Sequence, residues 1–152
     1  MKIIKSKLIV LLLFFVSLGS VKNAVCQRSV FSFEQYTNGK GDTLRYRQLV
    51  PDYDTLRKYP LVIFLHGSGE RGSDNESQLQ WGVMNVASEQ NMIKYPAIVI
   101  APQCPEKTGW PNFSDKEQTT QMPLKSAPSK PLKLLLELVK QVKRTLRVDT
   151  NR

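Results

Sequence analysis

The sequence is poor in the residues that build metal and thiol chemistry. It holds two cysteines, Cys26 and Cys104, and one histidine, His66. There is no Cys-x-x-Cys, and a zinc site takes about four N, S or O ligands. Neither a metal centre nor a disulfide scaffold is expected. Without a partner, Cys104 reads as a small packed residue rather than a reactive thiol. No apolar run is long enough to span a bilayer. The longest, Leu8–Leu18, falls well short of the roughly 20 residues that a crossing needs. Internal repeats and long low-complexity tracts are also absent. The basic excess lacks interleaved aromatics on which bases would stack. Its one cluster, Lys140, Lys143, Arg144 and Arg147, reads as a solvated helix face, and no nucleic-acid partner is expected.

What is present begins with a leader. Lys2, Lys5 and Lys7 precede the Leu8–Leu18 run, a basic region followed by a short apolar one, as in an export signal. Ala24-Val25-Cys26 places small residues at the two key positions and would leave Gln27 first in the mature chain; cleavage after Ser20 is the alternative. Cys26 also raises lipidation, a lesser reading because Val25 stands where a lipoprotein site takes Gly, Ala or Ser. Residues 1–26 are thus expected to be a signal peptide, and the chain to be secreted or periplasmic with no stable membrane span. Removing them takes away four lysines and no acid, so the net charge falls from +9 to +5.

The rest, 27–152, alternates strand and helix patterns. Arg28–Tyr36 carries the strand formers Val30, Phe31 and Phe33. Thr37–Asp42 has two glycines beside Asn and Asp, a turn composition. Thr43–Val50 alternates apolar and polar residues, so the two strands read as a hairpin. Tyr59–Leu65 is apolar on both faces and fits a strand covered by helices on both sides. Asp74 or Asn75 would cap a helix from near Glu76 through Leu79, Trp81, Val83, Met84 and Val86. Ala97–Ala101 is a second buried strand, followed by a polar excursion to Lys130. A helix then starts at Ser129 and Pro131, a capping serine and a first-turn proline. Leu132, Leu135, Leu136, Val139, Val142 and Leu146 form its expected apolar face. The order predicts an α/β fold: a hairpin followed by parallel strands with crossover helices.

The chemistry lies in Leu61–Gly72, LVIFLHGSGERG, where a buried strand runs into His-Gly-x-Gly. Ligands bind at the carboxyl ends of strands in open α/β sheets, and glycines let backbone N–H groups approach them closely. The segment resembles the oxyanion loop of α/β-hydrolases. It is most similar to the secreted esterase and peptidase branch of prolyl oligopeptidases, dienelactone hydrolases and phospholipase/carboxylesterases. Tyr46–Pro51, Asp74-Asn75-Glu76, Ala101–Pro105 with Trp110, and Val148–Arg152 match in order, so the resemblance covers residues 40–152. It implies the N-terminal half of an α/β-hydrolase sheet, incomplete and truncated before the nucleophile elbow. It also implies acyl transfer by a Ser on Gly-x-Ser-x-Gly, with a later acid and His. None of the three is here, and Gly67-Ser68-Gly69 is not the elbow motif. The 152 residues are therefore expected to be inactive alone. The substrate of the whole enzyme would be a small ester or a peptide, with no cofactor.

By the resemblance, Gly67, Ser68 and Gly69 form the oxyanion-hole loop, with the N–H groups of Ser68 and Gly69 as candidate donors. His66, Glu70 and Arg71 support the loop. His66 is read as a brace rather than a general base, since no orienting acid and nucleophile are assigned beside it. Gln103 and Trp110 either border the cleft or serve structure, Gln103 by satisfying backbone groups. The rival reading is a non-catalytic exported module that uses the scaffold for binding. Cooperative urea unfolding of residues 27–152 would favour that rival.

Overall fold

The structure, a computed structural model, describes residues 30–51, 54–112 and 125–151. The chain divides into two units, Met1–Val30 and Phe31–Arg152, and the second carries the sheet and its helices. The leader lies outside the described residues, as do residues 113–124 of the polar excursion.

Strands β1 (Ser32–Thr37) and β2 (Thr43–Leu49) pair antiparallel, with Ser32 opposite Gln48 and Thr37 opposite Thr43. The turn between them is closed by Asn38, whose Oδ1 accepts from the N–H of Lys40 at 2.9 Å and of Asp42 at 3.0 Å. This is the self-capping that makes Asn a turn residue. β3 (Leu61–Ile63) and β4 (Ile98–Pro102) are parallel, and β4 also pairs antiparallel with β2. The sheet order is β1-β2-β4-β3. The fold is mixed α/β, and the expected parallel pair is one of three strand pairings among the described residues.

Successive residues of a strand face opposite sides of a sheet, so β4 feeds two separate layers. Ile98 and Ile100 pack with Leu44 and Tyr46 against helix α3 (Lys130–Thr145). Val99 and Ala101 face the other way, into Phe31, Leu49, Leu79, Val83 and Met92. That second layer is the crossover between β3 and β4. The sequence reads as one helix from Glu76 through Val86. The structure instead has a 3₁₀ turn at Ser77–Leu79 and two short helices, α1 (Val83–Val86) and α2 (Glu89–Lys94). The break falls at Gly82, which adopts φ 80° and so leaves helical geometry. α2 restarts behind Ser88, whose side chain accepts from the Asn91 N–H.

Two further expectations shift. The run Tyr59–Leu65 narrows to a three-residue strand whose side chains are half-buried, with Leu65 exposed. Its apolar pattern calls for cover on both faces, yet its outer edge is paired only at Tyr59 among the described residues. There the chain leaving α3 runs parallel beside it: Tyr59 N–H donates to Arg147 O and Asp149 N–H to Tyr59 O, both at 2.8 Å. α3 is capped by Ser129 with Pro131 in its first turn. Its buried face, however, is Leu134, Leu135, Leu138 and Val142, while Leu136 is exposed. Leucines crowd this helix on three sides, so spacing alone leaves its orientation open.

Candidate active-site loop

The loop from Leu65 to Asn75 leaves the carboxyl end of β3. His66 is buried, whereas Gly67, Ser68 and Gly69 are exposed and Glu70 half-buried. The backbone N–H groups of Gly67, Ser68 and Gly69 donate no hydrogen bond to any described residue. These donors are adjacent and, being exposed, reachable from solvent and by a ligand.

The loop is held on both flanks by Gln103 and Cys104, which follow the end of β4. The Cys104 N–H donates to His66 Nε2 at 2.8 Å. An N–H donor requires a bare nitrogen, so the proton sits on Nδ1, which donates to Gly67 O at 2.6 Å. Both nitrogens are thereby occupied, and His66 has no lone pair available as a base. Trp110, half-buried, donates from Nε1 to His66 O at 3.3 Å, and its ring meets the imidazole edge-on with centroids 5.5 Å apart. On the far flank, Gly72 N–H donates to Cys104 O at 3.0 Å.

Gln103 is 2% exposed, so its side chain is inside the protein rather than on a cleft wall. Its Oε1 accepts from Asn75 N–H at 2.7 Å. Its Nε2 donates to Glu70 O at 3.1 Å and to Asp74 Oδ1 at 2.7 Å. Gly72 permits this approach, because a Cβ there would stand 3.1 Å from Nε2. Asn75, buried at φ 55°, donates to Tyr46 O at 3.1 Å and accepts from Gln78 Nε2 at 2.6 Å. Asp74 leads into the 3₁₀ turn, whose cap position is Glu76, and its Oδ1 accepts from the N–H of Glu76 and of Ser77. Burial acts to raise its pKa, but the hydrogen bonds from Ser77, Glu76 and Gln103 outweigh it and hold the carboxyl well below the ordinary range.

Glu70 places Oε2 3.9 Å from His66 Nδ1. Arg71 is exposed, lies beside Gly109, and makes no ion pair among the described residues. Sequence patterning missed Arg47. Strand alternation sends it outward, yet it is 2% exposed, bonded to Glu76 at 2.9 Å and to Phe31 O at 2.9 Å, with its guanidinium stacked on Phe33. The charge of Glu76, just after the loop, was the one available signal. Among the described residues no group of His, Cys, Asp and Glu could hold a metal, and no helix is long and apolar enough to cross a membrane.

A parallel strand thus runs into an exposed glycine loop, in a sheet packed on both faces by helical segments. Among solved structures, a thermostable esterase matches with a TM-score of 0.68 and 30% sequence identity. The match covers 81% of this chain and 32% of that esterase, so the chain spans about a third of its length. No protein-family model and no curated protein matches the chain.

Proposed function

We propose that these residues are the front part of an exported serine hydrolase acting on ester or peptide bonds, and that they supply its oxyanion hole. The observation that carries this is the trio of unpartnered N–H groups at Gly67–Gly69, at the carboxyl end of a strand. When a nucleophile adds to an ester carbonyl, negative charge gathers on the oxygen. Preorganised N–H donors stabilise that charge by about 2.7–4 kcal/mol each, judged by donor deletions elsewhere. Ser68 and Gly69 are the donors assigned here. Ser68 has no base among these residues, because the one imidazole beside it, His66, has both nitrogens engaged.

The nucleophile, its base and the orienting acid would come from polypeptide outside these residues, as the greater length of the esterase neighbour suggests. The unpaired part of the β3 edge is where further strands of an α/β-hydrolase sheet would add. By its leader-like residues, the protein would be exported and begin at Gln27, which N-terminal sequencing of the mature form checks.

The catalytic reading is tested by a chimera in which residues 31–151 replace the matching third of the thermostable esterase. Turnover of 4-nitrophenyl butyrate is expected from the chimera, and none from the 152-residue chain alone. A chimera that melts cooperatively yet hydrolyses no ester would sink the reading.

A further inference from the structure

The geometry points to Gln103 as the positioning residue of the glycine loop, an inference that rests on the proposed oxyanion role of that loop. The loop has no regular secondary structure, so something outside it must set where its open N–H groups face. Three ties come from one short segment. Cys104 contributes its N–H to His66 and its O to Gly72, and Gln103 contributes its side chain. The two backbone ties are useful only if the segment and the loop stay in register, and the Gln103 amide is the group that spans both. It reaches Glu70 O, Asp74 Oδ1 and Asn75 N–H at once. Its orientation is fixed, since the Asn75 N–H requires the amide oxygen. The amide nitrogen then has to serve the two remaining acceptors.

Both functions of the amide are needed together, which explains why a glutamine stands there rather than a glutamate. Gln103→Glu keeps the shape and the bond from Asn75. It removes both donations and sets a second carboxylate against Asp74. Protonation of that glutamate would restore one donor, so the defect should shrink on acidification.

The first measurement is NMR-detected hydrogen exchange on the whole 152-residue chain. In Gln103→Glu, the Gly72 and Cys104 amides are expected to exchange at least about tenfold faster at neutral pH, as a loss of local protection, and to recover part of it at lower pH. The α3 amides should keep theirs. Equal loss across α3, no change at Gly72 and Cys104, or no recovery with acid each overturns the inference. Gln103→Met, of similar volume and without hydrogen-bonding groups, should loosen the same two amides at every pH, and stands in if the glutamate variant fails to fold.

The second measurement uses the active chimera. There Gln103→Glu should lower kcat at least about tenfold with KM within about twofold, because a displaced oxyanion donor costs the transition state and not the bound substrate. An unchanged kcat overturns the positioning role. An inactive parent chimera would instead count against the functional reading and leave the exchange result to decide on Gln103.

Discussion

Asp74 and Gly82 show how single residues carry disproportionate structural weight. Asp74 has a folded-state pKa below its ordinary value, so the stability it adds is present above its unfolded pKa of about 3.9. That stability is lost as the pH falls through the folded value. Asp74→Asn should therefore flatten the acid limb of the stability profile below about pH 4, measured by urea midpoints at successive pH values. An unaltered acid limb would mean that Asp74 is not the linked group. Gly82 sits at φ 80°, and a Cβ there would stand 3.0 Å from the Phe64 ring. Gly82→Ala should cost roughly 1–3 kcal/mol, combining backbone strain with displacement of the ring. Gly39→Ala is the control, since a Cβ there meets nothing within 4 Å.

At the level of elements, α3 tests whether the structure has chosen the right face of a leucine-rich helix. Leu138 is fully buried against the sheet, so Leu138→Ala should cost about 2–5 kcal/mol in urea unfolding. Leu136 is 51% exposed, and Leu136→Ala should stay within about 0.5 kcal/mol. The reverse ranking would put the helix in the orientation that simple three- and four-residue spacing suggests. The same helix is fixed at its start by Ser129, which accepts from Leu132 N–H and donates to Trp110 O at 2.7 Å. The cap thus ties α3 to the segment that braces His66, and links the largest helix to the candidate site.

On the scale of the whole molecule, the outer edge of β3 governs behaviour. It is paired at Tyr59 and open beyond among the described residues. Beside it a groove of about 470 Å³ is lined by Pro60, Val62, Val86, Tyr95, Pro96 and Ala97, together with Arg57, Asn91 and Lys94. An open edge with apolar flanks is a template for association. The 152-residue chain is expected to self-associate as its concentration rises, and sedimentation velocity checks this. A monomer at all concentrations, with one sharp urea transition, would favour the self-sufficient binding module over the partial hydrolase.

Local rules were enough for much of the fold. Asn38 and its glycines dictate a hairpin, Ser129 and Pro131 start a helix, and LVIF before the HGSG segment puts a glycine loop at a strand end. Each rests on backbone preference within a few neighbours, which is why the elements and the loop could be read directly. Four things required the tertiary structure. The split of the crossover falls at Gly82, whose φ of 80° and close approach to the Phe64 ring only the folded chain reveals. The rotation of α3 depends on where Ile98 and Ile100 present their side chains. The burial of Arg47 depends on Glu76 and Phe33 arriving from other segments. The engagement of both His66 nitrogens and of the whole Gln103 amide depends on β4 ending beside the loop. Sequence determined the pieces because their causes are short-range; packing decided the polar contacts between segments, because Arg47 and Glu76, Asn75 and Gln103, and His66 and Cys104 stand 29, 28 and 38 residues apart.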